Sequence, residues 1–191
     1  MELNEISKIQ TGLMLVRKRA TARNTQPKEY KLLTLKSFDS IGKLDASELD
    51  IFFSKEMIEE RYLTKKGDII LRLTTPYTAI SIANEEGVII SSNFAIIRLN
   101  DSSFLPEYLA LYLNSKKIKD EFSKSAISTT IPLIKVSHLR NVSIPAIPRK
   151  MQEKIVDFNQ LQQREKLLLD GLLIEKKRFT NFVLNKLLVN N

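Results

Sequence analysis

The pattern of apolar and polar positions divides the chain in two. Up to residue 148 the apolar residues come in short runs bounded by Gly, Asn or Pro, whereas from Arg149 to about Leu188 they recur at helical spacing with no proline. In the first part, GDIILRLT (67–74) and NFAIIRL (93–99) are short, rich in Ile and Leu, and open on Gly or Asn, as strands do. KLLTLKSF (31–38) alternates and predicts a third strand. AISIA (79–83) and GVIIS (87–91) predict a hairpin around Asn84-Glu85-Glu86. Pro106 opens PEYLALYLNS, in which Leu109, Tyr112 and Leu113 share one helical stripe, with Ser103 as the upstream cap. A second short helix is expected over Lys116 to Lys124. Strands and helices without regular β-α alternation predict an α+β fold over 1–148: a mixed, largely antiparallel sheet domain with short helices.

From Arg149 the composition turns to Leu, Lys, Glu, Gln and Phe, with Gly171 the one glycine. This predicts a single long helix over 149–191, about 40 residues and about 60 Å. A 150-residue globule is only about 40 Å across, so the helix is expected to overhang its domain. Phe158, Leu161, Leu168, Leu172, Phe179 and Phe182 fill six of eight places in a series spaced alternately by three and four, with Glu165 and Glu175 in the other two. That spacing is a coiled-coil seam, and Leu167, Leu169, Leu173, Ile174, Val183 and Leu187 widen the apolar surface around it. These six residues are the expected dimer interface. The competing reading is a helical hairpin folded back at Gly171, although one glycine costs a helix only ~1 kcal/mol.

Composition narrows the chemistry. The 191 residues include 30 Lys and Arg against 22 Asp and Glu, a net charge of +8, which makes a polyanion the partner to test. The charge is clustered: Arg17 to Lys31 carries +5, Asp45 to Glu60 carries −5, and Lys116 to Lys150 carries +6. Each run reads either as a solvated face or as sidedness, the basic segments converging on a phosphate backbone and the acidic one pointing elsewhere. No cysteine is present, which removes disulfides, thiolate metal sites and cysteine nucleophiles. The longest uncharged stretch, Leu73 to Asn84, is too short to span a membrane, and MELNEISKI places Glu2 and Glu5 where a signal peptide would be basic. A cytoplasmic protein is expected.

Enzymatic readings find no home. Thr74-Thr75-Pro76-Tyr77 looks like the Asn/Asp-Pro-Pro-Tyr loop of amino methyltransferases, but Thr cannot accept the target amine's hydrogens as an Asn or Asp oxygen does. Glu29-Tyr30-Lys31 imitates half of a metal-nuclease site, yet no Asp or Glu lies between Ser7 and Lys28 to supply the second ligand. The one histidine, His138, reads as a surface or helix-end residue, and there is no Walker motif. No catalytic residue, bound metal or cofactor is expected on this chain, and a hydrolase with unfamiliar residues is the weakest class.

Binding residues are better represented. Arg17, Lys18, Arg19 and Arg23, interleaved with Thr21 and Asn24, join long cations for phosphates or guanine to side chains that can read base edges. Arg72 with Thr74, Thr75, Tyr77 and Thr78 makes a second such loop, and Lys124 to Thr130, with Ser128 and Thr130, a third. The expected DNA-binding set is Arg17, Lys18, Arg19, Arg23, Arg72, Thr75, Tyr77, Ser128 and Thr130. Ordinary turns use the same residue types. Lys65, Lys116 and Lys117 suit phosphates or solubility.

The order KGDIILRLTTPYTAISIANEEGVIISSNFAIIRL, LPEYLALYLNS, STTIPLIKVSHLRNVSIPAIPRKMQEKI resembles the target-recognition domain of type I restriction-modification specificity (S) subunits. It begins with LNEISKIQTG (3–12) and runs through the long helix. Its most specific parts are Lys66-Gly67-Asp68-Ile69, Ser92-Asn93-Phe94-Ala95, Tyr108-Leu109, and Leu139 to Pro145, Pro148 and Gln152 to Ile155. Two departures concern loop geometry: Ala126 or Ile127 stands where a glycine often precedes the Ser/Thr loop, and the second proline pair is reduced to Pro148-Arg149. The resemblance implies a non-catalytic DNA-reading subunit that recruits modification (methyltransferase) subunits and a restriction subunit, with S-adenosylmethionine, ATP and Mg on those partners. The usual S subunit has two recognition domains and two long antiparallel helices; this chain has one of each. A homodimer through the C-terminal helix would then read a bipartite inverted repeat of double-stranded DNA. Pairing with a different half subunit is the competing assembly. A stand-alone nucleic-acid-binding regulator, or an RNA-binding module with a dimerisation helix, is the alternative class.

Overall fold

The structure, a computed structural model, describes residues 1–21, 26–38, 44–125 and 133–189. In chain order the elements are α1 (Leu3–Ile6), β1 (Ser7–Thr11), β2 (Lys28–Leu33), β3 (Asp50–Ser54), β4 (Ile69–Arg72), β5 (Ala79–Ser81), β6 (Ile89–Ile90), β7 (Phe94–Leu99), α2 (Pro106–Leu113), α3 (Lys116–Ser125), α4 (Val136–Arg140) and α5 (Arg149–Val189). The fold is α+β, as the pattern predicts, but the strands form two sheets. One has the order β1-β7-β4-β5, antiparallel throughout; the other has the order β3-β2-β6, with β2 antiparallel to β3 and parallel to β6.

Strand alternation explains the layering. Ile70, Ile80, Phe94 and Ile96 face one way from the first sheet and pack with Leu33 and Ile90 of the second. Leu32, Phe52 and Ile89, on the other face of the second sheet, are closed over by Leu13, Leu15, Ile58, Tyr62 and Leu63. The remaining face of the first sheet meets helices: α2 lies over β4 and β5, while α1 and α4 flank β1. Burial of an Ile or Leu is worth roughly 1.5–3 kcal/mol, so these layers provide the main driving force.

Three local expectations are corrected. The hairpin of 79–83 with 87–91 does not form: β5 pairs with β4, whereas β6 lies in the other sheet beside β2. Ile89 and Ile90 point into different apolar clusters and both are fully buried, so this is an interior strand with two apolar faces. The strand expected over 31–38 runs Lys28–Leu33 and ends in a turn, where the Thr34 N–H donates to Ser37 Oγ at 3.1 Å. Ser103 is not the cap of α2. Leu105 occupies that position, its N–H donating to Gln152 Oε1 at 2.8 Å, and Gln152 Nε2 donates to the carbonyls of Ser103 (2.9 Å) and Ile147 (3.0 Å).

The chain divides into two compact units, Met1–Gln152 and Glu153–Asn191. The second is formed by α5, a continuous helix of 41 residues in all. It passes through Gly171 without a break, so the helical hairpin is excluded. Among the described residues no helix is long and apolar enough to cross a membrane.

Candidate nucleic-acid interface

The first basic segment is laid along the edge of β3. A turn of 3₁₀ helix over Leu15–Arg17 hands the chain to a short ladder: Ala20 N–H donates to Phe53 O (2.8 Å), and Lys55 N–H donates to Lys18 O (3.0 Å). Arg17 is exposed on this ledge. The Arg19 guanidinium stands 5.2 Å from the centre of the Phe52 ring, a cation–π arrangement that fixes its direction. Lys18 Nζ bonds Glu56 Oε1 at 2.6 Å; that hydrogen bond raises the lysine's pKa and lowers the carboxyl's. Arg23 lies outside the described residues.

That ion pair corrects the expected sidedness. The acidic segment does not point away from the first basic one, because β2 and β3 are antiparallel neighbours, with Lys31 opposite Ile51 and Leu32 opposite Asp50. Glu59 and Glu60 are likewise neutralised by Arg61 (2.9 Å) and Lys65 (2.8 Å). Lys65 is therefore engaged, while Lys116 and Lys117 are exposed at the start of α3.

The second loop, between β4 and β5, is held from within. Arg72 Nε donates to Thr74 Oγ1 (3.3 Å) and its Nη2 to Thr75 O (2.9 Å), so this half-buried cation braces the loop. Thr75 is exposed beside Pro76, with a cis bond between them. Tyr77 is turned inward: it is 4% exposed and packs edge-on against Phe122 at 5.8 Å, and its hydroxyl has no partner among the described residues. The chain returns to this loop after α3. Leu133 bridges to Thr74, and Ile134 N–H donates to Leu73 O at 2.9 Å, so residues 133–134 pair with the start of the second loop. Ser128 and Thr130 lie outside the described residues.

Several motif residues prove to be structural. Asp68 is buried and takes a bidentate bond from Arg98 Nε (2.9 Å) and Nη2 (3.1 Å), plus the Lys65 N–H (2.9 Å), while Gly67 turns the chain at φ +83°. Asn114 pairs its amide with Ala79 N–H (2.9 Å) and C=O (2.7 Å), closing part of the β5 edge. Gly12 fits where β1 runs against the Ile90 and Ser91 backbone, with room for no Cβ. Among the described residues no three His, Cys, Asp or Glu side chains gather as a metal-binding group.

Residues 1–165 match the family model of the type I restriction modification DNA specificity domain. The chain belongs to this family. Specificity subunits of type I restriction-modification systems are non-catalytic DNA-recognition proteins. The specificity domain has the fold of solved relatives. It is similar to the HsdS subunit from Thermoanaerobacter tengcongensis, with 20% identity and a TM-score of 0.69, covering 96% of this chain and 46% of that one. A chain from a study of complex assembly and conformational transition of the type I R-M system matches at 20% identity and a TM-score of 0.67, covering 88% and 43%. The type I restriction-modification S subunit from M. genitalium matches at 16% identity and a TM-score of 0.51, covering 91% and 42%. The specificity domain thus spans less than half the length of each of these chains. Among curated proteins, none matches the sequence.

Proposed function

We propose that this specificity domain reads one half-site per chain, and that two copies joined through α5 read a bipartite target of two inverted identical half-sites in double-stranded DNA. The observation that carries this reading is the coincidence of one family match over 1–165 with a helix whose apolar series is left open: Phe158, Leu161, Leu168, Leu172, Phe179 and Phe182 are each more than half exposed. An apolar surface of that extent marks an interface. The DNA-facing set is Arg17, Arg19 and Thr75, with Arg23, Ser128 and Thr130 included by residue type alone. Arg72 braces the second loop, Tyr77 supports it from inside, and Lys18 is shared with Glu56. The assembly recruits modification subunits that bind S-adenosylmethionine and a restriction subunit that uses ATP and Mg, and it works in the cytoplasm, where the DNA is. The test is selection of bound duplexes from a random pool by the chain with its modification subunits. Recovered sequences should show an inverted repeat with a nonspecific gap, and affinity should fall with salt at a log-log slope near −0.9 per phosphate. Recovery of single-stranded RNA or of unrelated sequences would favour the stand-alone regulator instead.

A further inference from the structure

The seam of α5 is symmetric about its own middle, and this selects one register for a second copy. In an antiparallel pair with its two-fold axis at Asp170, Phe158 meets the partner's Phe182, Leu161 the partner's Phe179, and Leu168 the partner's Leu172. The flanking row matches as well: Ile155 meets the partner's Val183, and Leu169 meets the partner's Leu169. All six exposed apolar seam residues then face apolar residues, and the two remaining places bring Glu165 against the partner's Glu175.

That acidic contact is what distinguishes the register. On the other flank Arg164 falls beside the partner's Arg178, so each Glu165–Glu175 contact carries two carboxylates and two guanidiniums and is neutral as a group. One member is already formed within the chain, where Arg178 Nη1 bonds Glu175 Oε1 at 2.6 Å with both groups largely exposed. Sliding by one heptad destroys the match. In one direction Glu165 faces the partner's Phe182 and Leu172 its Glu175; in the other, Phe158 faces Glu175 and Phe179 faces Lys154. Each slide opposes a charge to an apolar side chain and carries Arg164 away from the partner's Arg178–Glu175 pair. Parallel pairing places Arg164 beside the partner's Leu169 and Arg178 beside its Val183, so the acids would meet without cations from across the seam.

The surface of α5 has the shape for this occupant. Leu161, Arg164, Glu165, Leu168, Leu169 and Leu172 line a shallow hollow. Residues 161, 164, 165 and 168, and then 165, 168, 169 and 172, are two successive holes of the kind that receive knobs in helix pairs. In the Asp170 register the second hole receives the partner's Leu172, and the first faces the partner's Glu175 across from Arg164. We infer that α5 is built for a second copy of this chain in antiparallel register about Asp170, held at each seam by a neutral Glu165–Arg164–Glu175–Arg178 cluster. This inference rests on the homodimer reading above and adds the register.

The chain has no cysteine, so introduced ones report alone. Leu161→Cys and Phe179→Cys chains are mixed under mild oxidation. Covalent dimers should form in the mixture and not with either chain by itself. Covalent dimers from Leu161→Cys mixed with Leu172→Cys or Lys186→Cys would instead show a register one heptad away and overturn the assignment, and self-linking of Leu161→Cys would show a parallel pair. Because cysteine weakens the seam, spin labels on Lys154→Cys, one step beyond the last apolar seam residue, Phe158, give a second measure. The expected separation is about 48 Å along the axis, and each heptad slide moves it by about 10 Å. A distance displaced by that much overturns the register even if the chain is dimeric. A strict monomer in light scattering overturns the homodimer reading itself, so the two failures are distinct.

Discussion

Alanine at Gly12 puts a methyl group into the backbone of the neighbouring strand. A Cβ at this position stands 2.2 Å from the Ser91 carbonyl oxygen and 2.5 Å from that of Ile90, and neither atom belongs to a flexible side chain. An ordinary contact needs roughly 3.5 Å, so the end of β1 must back away by about 1 Å. That movement stretches three bonds at once: Leu13 N–H to Ile90 O (2.7 Å), Ser92 N–H to Leu13 O (2.9 Å) and Gly12 N–H to Phe94 O (2.9 Å). At roughly 1 kcal/mol net for each bond, with overpacking of about 1–3 kcal/mol added or substituted in part, the expected loss is about 3–5 kcal/mol. For a urea slope of roughly 1–3 kcal/mol per molar, the midpoint should fall by about 1 M or more. The chain has five tyrosines and no tryptophan, so far-UV circular dichroism or tyrosine emission follows the transition. Gly171→Ala is the matched control, since a Cβ there meets nothing within 4 Å; it should gain up to ~1 kcal/mol of helix stability. A Gly12→Ala midpoint shifted by no more than a surface substitution, about 0.5 kcal/mol, would refute the close approach of β1 to residues 90 and 91.

Asp68→Ala removes the acceptor of three bonds and leaves Arg98 without its charge partner. A loss of about 2–4 kcal/mol is expected in the same urea assay, with Asp68→Asn costing less because one oxygen still accepts the Lys65 N–H. Arg17→Ala should weaken DNA binding about equally for all sequences and flatten the log-log salt slope by roughly 0.9, as measured by fluorescence anisotropy. Arg72→Ala, by contrast, should change which bases are selected at the half-site more than it changes the salt slope, because it loosens Thr74 and Thr75. Glu56 has its carboxyl pKa lowered by Lys18, so this pair's contribution is present above the unfolded carboxylate's pKa and fades as pH falls through the folded value. The groups are exposed, so Glu56→Gln should barely alter unfolding at neutral pH and should remove only a small acid-range decrement in a pH series.

The parts of the fold that were legible in the sequence are those with a local period. β4 and β7 carry short Ile-rich runs, and α5 a forty-residue apolar stripe, and the structure has strands and a helix there. β1 and β3 carry no clear period because SKIQT and DIFFS bury Ser7 and Ser54 and leave Ile51 and Phe53 exposed, and their strand character comes from neighbours far along the chain. β6 misled for the converse reason: a two-residue strand buried on both faces looks like half of a hairpin until its partners, β2 and Leu63, are known. At the interface, cationic and hydroxyl residues could be picked out by type. Whether a cation faces outward, as Arg17 does, braces its own loop, as Arg72 does, or pairs with an acid 38 residues away, as Lys18 does with Glu56, depends on how the folded backbone carries it. Tyr77 read as a DNA-facing aromatic because nothing local indicates that Phe122 packs against it.

The most direct test of the account is mapping of methylated adenines and cytosines across the genome of the host, with the gene intact and deleted. The account predicts that one bipartite motif, two inverted identical half-sites around a nonspecific gap, is methylated in the first and unmethylated in the second. Loss of a motif with two different half-sites would contradict the homodimer, and an unchanged methylation pattern in a host whose modification subunits are active would contradict the assignment of this chain as their specificity determinant.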